Sequence, residues 1–580
     1  MAILHGIIID DPLAKEKLAF LADYFSYAAR HRGSLDLIPV ENQLSLVEKI
    51  IYQIENNPDH FHHYVFLYLE HPLLQEDNRL VKDLESFDKI RLLIKEYLNE
   101  KNNQKKWVSD HPEFLTGLKS LAVEIDNKMF VSVVDNIIKM IKCSCPLEKH
   151  KSDFVELVNC LVSEYAFRDI SVKEQDHLFA ALLNADENKF PLPSDLVLDP
   201  KERKTYLEKL STEDKLRGLF NLLKRAPQEN HFIFKVSNFK IPREFFFRYD
   251  NVAFYGADHP TIALIKKEAE AKNIFFDGEI QLLAVVQARY QSLENQIKIS
   301  LQKVRRAAQF INTWLNINCT VNPYTYLLSK DLREVSGFSS DWKDDGYEFH
   351  DRDLERLMDN PYELLKDHKE QSKGKLLFYE PLFLDALANK NPAIFWQYLE
   401  AIIPLTSSRD KQIKTVVPSL LLLNAEQYYR NRLTEYIRSA FHPFSGNSKL
   451  LGITAHQQLD LWKQKRDDLP SLMSGIQHPF LNYLMDERGY TFTSNELIVR
   501  KGHYLRVISE AYAQRNFAIH SGLEHIKSQV HLRETLTRLV VRLRWVLFDG
   551  ISQYNGLPFD EIVMKLYSDS LKMQEANPNS

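Results

Sequence analysis

Glycine, cysteine and long apolar runs are all scarce in this chain of 580 residues. Seventeen glycines are too few for an all-β design, which would need many tight turns. Four cysteines argue against a disulfide-stabilised scaffold and favour a reducing compartment. No stretch approaches the roughly 18 consecutive apolar residues of a membrane span, and the first residues turn acidic too early for a secretion signal. We therefore expect a cytoplasmic protein with no membrane partner.

Motifs of several enzyme classes are absent as well. The sequence contains no GxxxxGK[ST] phosphate loop, no GxSxG nucleophile elbow and no HExxH pair. It therefore gives no sign of an NTPase, a serine hydrolase or a zinc protease. The formal net charge is −5, which differs from the strongly positive charge of many nucleic-acid-binding proteins. Any surface for nucleic acid must therefore be local.

Hydrophobic patterning indicates a mostly α, multidomain protein. At 580 residues the chain exceeds what one core usually organises. Apolar residues recur at intervals of three and four through residues 1–225, which predicts an N-terminal helical domain. Residues 334–374 are polar and rich in charge, as is typical of a linker. Residues 375–580 then form the predicted C-terminal helical domain.

The hydrophobic period changes in the middle of the chain. Short aromatic and β-branched runs between 228 and 279 are typical of strands, with a helix predicted over 261–272 between two of them. A long helix is predicted from Glu279 to about Asn316, because apolar residues there keep the helical spacing and nothing breaks it. We therefore expect residues 226–333 to form a small α+β element with a long connecting helix.

The most informative segment lies near the C-terminus, where residues 515–522 read RNFAIHSG. Arg515 could hold a phosphate with its planar, permanently charged fork, and His520 could exchange a proton near neutral pH. With Asn516 they form an Arg-Asn-x3-His pattern whose side chains suit RNA cleavage without a metal. Residues 501–550 hold eight Lys or Arg against four Asp or Glu, a net charge of +4 that favours a phosphate ligand.

The motif is expected at the end of a helix. We predict that this helix starts near Asn495, with Ser494 or Asn495 as its N-cap, and that Gly522 ends it. In one continuous helix the side chains of Arg515 and His520 would point about 140° apart. Either the helix loosens before His520, or two copies of the chain contribute to one site.

This motif and its flanks resemble the HEPN superfamily of helical ribonucleases, in particular the ApeA-type proteins of prokaryotic antiphage defence. The resemblance covers roughly residues 390–560, with a looser likeness at 285–314 and 322–329. Beside the motif it rests on three stretches, NPAIFWQYLEAI (391–402), VVPSLLLLNAEQYYRNRLTEYIRSAF (416–441) and LRETLTRLVVRLRWVLFDG (532–550). It implies a C-terminal HEPN-type helical bundle.

The resemblance also implies a mechanism and a homodimer. HEPN domains pack in pairs with both motifs facing one cleft, which implies a symmetric homodimer because this chain carries one motif. His520 would act on the ribose 2′-hydroxyl or the leaving 5′-oxygen, Arg515 would stabilise charge on the phosphate, and Asn516 would orient one of them or the substrate. Attack by the 2′-hydroxyl would leave a 2′,3′-cyclic phosphate and a 5′-hydroxyl. No cofactor is expected.

Three further side chains are candidates for weaker roles. Glu426 lies in a helix that should pack near the motif and could support it, although a structural role is favoured. Arg538 and Arg542 lie one turn apart on a face of a helix predicted over about 526–550, where they could contact RNA phosphates. Arginines on an exposed helical face are usually only solvated, so phosphate contact is the less favoured interpretation.

One group of residues could hold a metal. Cys143, Cys145, His150 and Cys160 form the pattern C-x-C-x4-H-x9-C, with four competent zinc ligands. The spacing fits no standard zinc finger closely, and Cys160 lies in an apolar helical run, where a free buried cysteine is common. We therefore expect no metal, with zinc as the alternative.

The leading hypothesis is a homodimeric, metal-independent endoribonuclease of an antiviral defence system of the abortive-infection type. The C-terminal domain would cut host or viral RNA, with tRNA as one candidate, and the N-terminal half would sense an unknown phage-derived or host trigger. The alternative is a non-catalytic helical module that binds RNA, a nucleotide or a protein through the same cleft. A third possibility is an architectural scaffold.

Overall fold

A computed structural model gives the fold of most of the chain. It describes residues 11–31, 41–56, 62–75, 78, 80–100, 104–168, 170–187, 189–193, 196, 198–238, 244–256, 258–271, 282–315, 317–329, 335–338, 368, 370–389, 392–404, 409–442, 453–465, 468–474, 476, 478–488, 492–521 and 529–575. These residues are mostly helical, with one small antiparallel sheet, which confirms the mostly α prediction. None of the described helices combines the length and the apolar composition that crossing a bilayer requires.

The N-terminal region is helical, as its periodicity predicts. In the seventh helix, for example, Val134, Ile137, Ile138 and Ile141 follow the three-and-four spacing and are all buried. A π-helical turn at Ile125–Met129 joins two of the helices, and 3-10 turns lie at Pro72–Leu74 and Leu147–Lys149. The helices are α1 (Pro12–His31), α2 (Gln43–Asn56), α3 (His62–Leu69), α4 (Glu85–Asn99), α5 (Gln104–Asp110), α6 (Pro112–Glu124), α7 (Phe130–Lys142), α8 (Lys151–Phe167), α9 (Val172–Asp176), α10 (Leu178–Leu183), α11 (Pro200–Glu208) and α12 (Thr212–Leu223).

A six-stranded antiparallel sheet with two helices follows. Its strands are β1 (Gln228–Ser237), β2 (Phe246–Tyr249), β3 (Val252–Gly256), β4 (Leu282–Tyr290), β5 (Thr320–Ser329) and β6 (Val335–Phe338). They pair in the order β2-β3-β4-β1-β5-β6. Helix α13 (Pro260–Ala271) packs against β3 and β6, and α14 (Leu293–Leu315) packs across β1, β3, β4 and β5. The apolar side chains between α14 and the sheet form a core of their own.

The sheet is larger than the sequence predicts, and the long helix is shorter. Residues 282–290 form β4 at the centre of the sheet, so the prediction of a helix from Glu279 to Asn316 is wrong for this part. Leu282 to Val286 is an unbroken buried run, which is compatible with a central strand as well as with a helix. Strand β6 also lies inside the predicted 334–374 linker. The strand predicted over 273–279 lies outside the described residues.

The C-terminal region is again helical. Its helices are α15 (Glu370–Phe378), α16 (Glu380–Asn389), α17 (Pro392–Ile402), α18 (Arg409–Leu420), α19 (Ala425–Phe441), α20 (Ala455–Lys465), α21 (Leu469–Met473), α22 (Pro479–Arg488), α23 (Ser494–Ser521), α24 (Gln529–Gln553) and α25 (Phe559–Glu575). In α24, five apolar side chains that follow the helical spacing are inaccessible, namely Leu536, Leu539, Val540, Leu543 and Leu547. Helix α24 is described from Gln529 onward, and the start predicted near residue 526 lies outside the described residues.

The N-terminal and C-terminal helices share one hydrophobic core. Buried apolar side chains form one contiguous cluster that runs through both regions and is separate from the core of the sheet. At the junction, Tyr27 of α1 packs edge-on against Tyr436 of α19, with 4.7 Å between ring centroids. Nearby, His478 Nε2 lies 3.1 Å from a buried Asp23 carboxylate oxygen. The predicted domain boundaries stay a prediction, but the two helical regions are packed together.

A buried ion pair joins the N-terminal region to α23, the helix that carries the Arg-Asn-x3-His motif. The Lys49 ammonium of α2 lies 2.7 Å from Glu510 Oε1 and also pairs with Glu41. Burial by itself would lower the pKa of Lys49, but the charges of Glu41 and Glu510 outweigh it and raise that pKa. Lys49 therefore stays protonated, and its charge offsets two carboxylates that are largely removed from water.

The first prediction concerns the contacts of Lys49 with Glu510 and Glu41. Lys49→Met should lower the free energy of unfolding by about 3–5 kcal/mol, because it leaves Glu510 and Glu41 together in a buried site without a cation. Denaturant unfolding measures the change. Lys89→Met is the matched control, because Lys89 forms an exposed one-turn pair with Glu85 and its loss should leave the midpoint unchanged. Equal midpoints for the two variants would contradict the role of Lys49.

Candidate active site on the motif helix

Helix α23 positions the motif. Its first turn is held by a capping box, in which the Glu496 carboxylate accepts from the Thr493 N–H at 2.8 Å and the Thr493 hydroxyl accepts from the Glu496 N–H at 3.4 Å. The N-cap is therefore Thr493, and the prediction of Ser494 or Asn495 is wrong by one or two residues. The helix continues unbroken to Ser521, and Gly522 lies outside the described residues.

Arg515 follows the packed face of α23. Tyr504, Ile508 and Ala511 are fully buried on one side of the helix, and Arg515 comes one turn after Ala511 on the same side. Its side chain is 29% exposed, so the guanidinium sits where this face meets solvent. Leu505, on another side of the helix, is 37% exposed.

Four side chains lie near this position through a chain of contacts, and together with Arg515 we call them the Arg515 cluster: Trp396, Glu400, Lys414, Tyr512 and Arg515. The Arg515 guanidinium lies 4.0 Å from Glu400 Oε1. Trp396 donates its indole N–H to the same oxygen at 2.9 Å, which fixes the carboxylate. The rings of Trp396 and Tyr512 pack with centroids 4.8 Å apart, and the Lys414 ammonium lies 4.2 Å from the Tyr512 ring centre.

The charge balance of the cluster suits an anion. The cluster contains two cations, Arg515 and Lys414, and one carboxylate, Glu400, so these three side chains sum to one positive charge. Tyr512 and Trp396 are partly or fully buried and hold Lys414 and Glu400 in place through cation–π and hydrogen-bond contacts. A phosphate approaching Arg515 would therefore meet a partly desolvated, preorganised positive site.

The other two motif residues are described only through their backbone. Asn516 and His520 lie within α23, and their side chains are outside the described part of the chain. Because the helix runs through both positions, the expected loosening before His520 is not seen in the backbone. Contribution from two copies is the alternative that stays open.

Glu426 lies at the start of α19 and forms an ion pair with Arg430, one turn further along. The same helix contacts the first half of α23, where the Arg500 guanidinium lies 5.5 Å from the Tyr429 ring centre. This local pair agrees with the structural role that the sequence favoured. A supporting role at the motif stays a prediction.

Arg542 is not on an exposed face. It is 3% exposed, and its guanidinium donates to the Tyr504 hydroxyl at 3.1 Å and to the Leu421 carbonyl at 2.6 Å. The prediction that it faces outward is therefore wrong, and we do not retain it as an RNA contact. Arg538 is half-buried, and its charge helps to lower the pKa of His31 to about 3, after burial and Arg432. It therefore lies near the end of α1.

Three of the four possible zinc ligands come together. Side-chain ligand atoms of Cys143, Cys145 and His150 all lie within 4.8 Å of one another. Cys160 is buried in α8 and directs its thiol toward the Gln43 side-chain oxygen at 3.8 Å. The structure therefore separates Cys160 from the other three residues.

Sequence reasoning did not single out the other four members of the Arg515 cluster, including its two charged side chains Glu400 and Lys414. Glu400 lies in one of the stretches that carry the family resemblance, but nothing in the sequence connects it with Arg515, which is 115 positions away. Lys414 lies in a polar segment of α18 that resembles any solvated helical face. The Trp396–Glu400 spacing of one helical turn is the one local signal, and many exposed pairs share it.

Comparison with known proteins adds no further assignment. No protein-family model, curated protein or solved structure matches this chain. The HEPN resemblance therefore depends on the motif and its flanks alone.

The second prediction separates a structural from an RNA-binding Arg542. Arg542→Met should lower the free energy of unfolding by about 1–3 kcal/mol, because the Tyr504 hydroxyl and the Leu421 carbonyl lose their donor in a buried site. Arg305→Met, on an exposed face of α14, is the control and should leave the unfolding midpoint unchanged. Weaker RNA binding by Arg542→Met at unaltered stability would instead restore the phosphate-contact interpretation.

Proposed function

We propose that this chain is a metal-independent endoribonuclease that acts as a homodimer in an antiviral, abortive-infection type defence system. His520 would move a proton at the ribose 2′-hydroxyl or the leaving 5′-oxygen, Arg515 would stabilise the negative charge on the phosphate, and Asn516 would orient one of these groups. Attack by the 2′-hydroxyl breaks the P–O5′ bond. The products are a 2′,3′-cyclic phosphate and a 5′-hydroxyl, and the substrate is RNA, with tRNA as one candidate.

The Arg515 cluster is the observation that carries this proposal. The Arg515 side chain is 29% exposed, and the cluster around it contains a second cation, Lys414. The two charges lie at the part of α23 that leads into Asn516 and His520. An arginine that is held near the end of a helix, in a region with additional positive charge, is well suited to bind a phosphodiester.

The proposed dimer follows from the geometry of α23. In a regular helix, an offset of five residues points the side chains of Arg515 and His520 about 140° apart around the axis and sets the residues about 7.5 Å apart along it. One copy with a regular helix cannot place both side chains on one phosphate. A two-fold axis near the motif would let Arg515 of one copy and His520 of the other meet at the same phosphate.

Sensing is assigned to the N-terminal half in this proposal. A nuclease that kills an infected cell must be held inactive until a trigger arrives, and the trigger would be phage-derived or of host origin. The Lys49–Glu510 contact supports such coupling, because Glu510 lies five residues before Arg515 on the same helix. A change in the N-terminal helices could therefore move the motif directly.

A second candidate function is favoured by one specific contact. Glu400 lies 4.0 Å from the Arg515 guanidinium and could hold it as part of a structural ion pair. In that case the cleft would bind RNA, a nucleotide or a protein without cutting it. The two functions differ in whether RNA chains break.

The third prediction tests cleavage directly. The wild-type protein with structured RNA and EDTA should give fragments that end in a 2′,3′-cyclic phosphate, and His520→Ala and Arg515→Ala should each reduce the rate by at least about 100-fold. End-group analysis of the fragments and gel-based rates measure this. His456→Ala removes an exposed histidine of α20, outside the motif, and is the matched control that should cleave RNA at the wild-type rate.

Two results would contradict the nuclease. Equal background cleavage by the wild type and both motif variants would favour the binding module, in particular if the wild type still binds the RNA. Fragments with a 3′-hydroxyl, or activity that EDTA abolishes, would point to a different mechanism.

The fourth prediction tests the composite site. The Arg515→Ala and His520→Ala variants, each inactive alone, should regain about a quarter of the wild-type activity when they are mixed and allowed to exchange subunits. Half of the resulting dimers contain one copy of each variant, and each of these mixed dimers holds one intact site of two. Rates before and after mixing, with sizes from analytical ultracentrifugation, provide the measurement. A mixture that stays inactive while exchange is shown with labelled chains would place both groups within one copy.

A further inference from the structure

We propose that the loop between α7 and α8 binds one zinc ion through Cys143, Cys145 and His150. The ligand atoms of the three side chains lie within 4.8 Å of one another. Ligands on a tetrahedral zinc ion with Zn–S and Zn–N distances of about 2.3 and 2.0 Å are separated by about 3.3–3.8 Å. Small side-chain rotations are therefore enough to bring the three atoms to one ion. The proposal is independent of the proposed nuclease.

The loop is built to keep these ligands together. Cys143 ends α7, and the Cys145 N–H points back to the Cys143 sulfur at 3.3 Å. The chain then makes the Leu147–Lys149 turn, which is anchored by the buried Leu147 side chain and closed by a hydrogen bond from the His150 N–H to the Leu147 carbonyl at 2.8 Å. His150 therefore starts α8 with its ring next to the two thiols.

The imidazole of His150 has a polar atom that needs a partner. Its Nε2 is buried and has no hydrogen-bond partner among the described residues, although buried polar atoms are normally paired. Its ring also packs edge-on against Phe154, with centroids 6.3 Å apart, which restricts its orientation. Coordination of the ring by a metal would account for an imidazole held in this way beside two thiols.

A buried cation lies next to the loop. The Lys17 ammonium of α1 is fully buried and donates to the Met140 carbonyl at 2.9 Å and to the Cys143 carbonyl. Two sulfur ligands and one imidazole select a thiophilic ion such as Zn²⁺ over Mg²⁺ or Ca²⁺.

The protein supplies three ligands from a loop that is largely open to solvent. Ser144, Pro146, Glu148 and Lys149 are exposed around the site, and Cys160 is withdrawn into the core near Gln43. A water molecule would complete a tetrahedral shell. The ion would tie the end of α7 to the start of α8 directly beneath α1.

Cobalt substitution tests the site. The protein, stripped of metal under reducing conditions and titrated with Co²⁺, should develop the thiolate-to-cobalt charge-transfer band and the intense visible bands of a tetrahedral site, with saturation at one ion per chain. Zn²⁺ should displace them. Cys143→Ser and Cys145→Ser should each lower the affinity at least 10-fold, whereas Cys160→Ser should titrate as the wild type does.

A second measurement on the unaltered protein guards against variants that fail to fold. Alkylation followed by peptide mass mapping should show Cys143 and Cys145 protected by Zn²⁺, with Cys160 and Cys319 unaffected by the ion. Absence of both the cobalt bands and the protection would overturn the proposal, as would a cobalt signal that survives Cys143→Ser. Loss of the signal in folded Cys160→Ser would overturn the three-ligand assignment. A Cys143–Cys145 disulfide that forms in air, together with no Zn²⁺ uptake by the reduced protein, would replace the metal site by a redox pair.

Discussion

The buried charge of Lys49 is the interaction that ties the two helical regions to one another at the motif helix. Its ammonium is surrounded by Glu41 and Glu510, one carboxylate from the N-terminal region and one from α23. Such an arrangement is stable only if all three groups stay together, because any one left alone would be a buried charge. The position of α23 is therefore set jointly by both regions. The aromatic contact between Tyr27 and Tyr436 has the same effect at the end of α1.

This arrangement has a consequence for the proposed nuclease. Glu510 and Arg515 lie on one continuous helix, so a displacement at the ion pair is transmitted along a rigid element. The Arg515 cluster, in turn, is held by α17 and α18 through Glu400 and Lys414. A switch between an inactive and an active nuclease would then require movement of α23 relative to these helices. In the proposed dimer, α23 also forms part of the interface, because each site combines motif residues of two copies.

Helical periodicity predicted the helices well and the sheet less well. The buried side chains of α24, among them Leu536 and Leu543, follow from a spacing that depends only on neighbours in the chain. The sequence predicts a helix where β4 lies, because the Leu282–Val286 run is buried on both faces and such a run lacks the alternation that indicates a strand. The strand is defined by β1 and β3 on either side, and Phe232 of β1 faces Val286 across 54 positions of sequence.

The sequence by itself determined which chemistries are present: a guanidinium, an amide and an imidazole close together near the C-terminus, and a set of thiols and an imidazole in the first third. It also determined the helices that carry them, because helix formation is local. Only the tertiary structure decided which groups meet. It buried Arg542 against Tyr504, placed Glu400 beside Arg515, and drew Cys145 toward His150 while it withdrew Cys160. Periodicity shows which face of a helix is apolar, but the neighbour that covers the face comes from distant parts of the chain through packing.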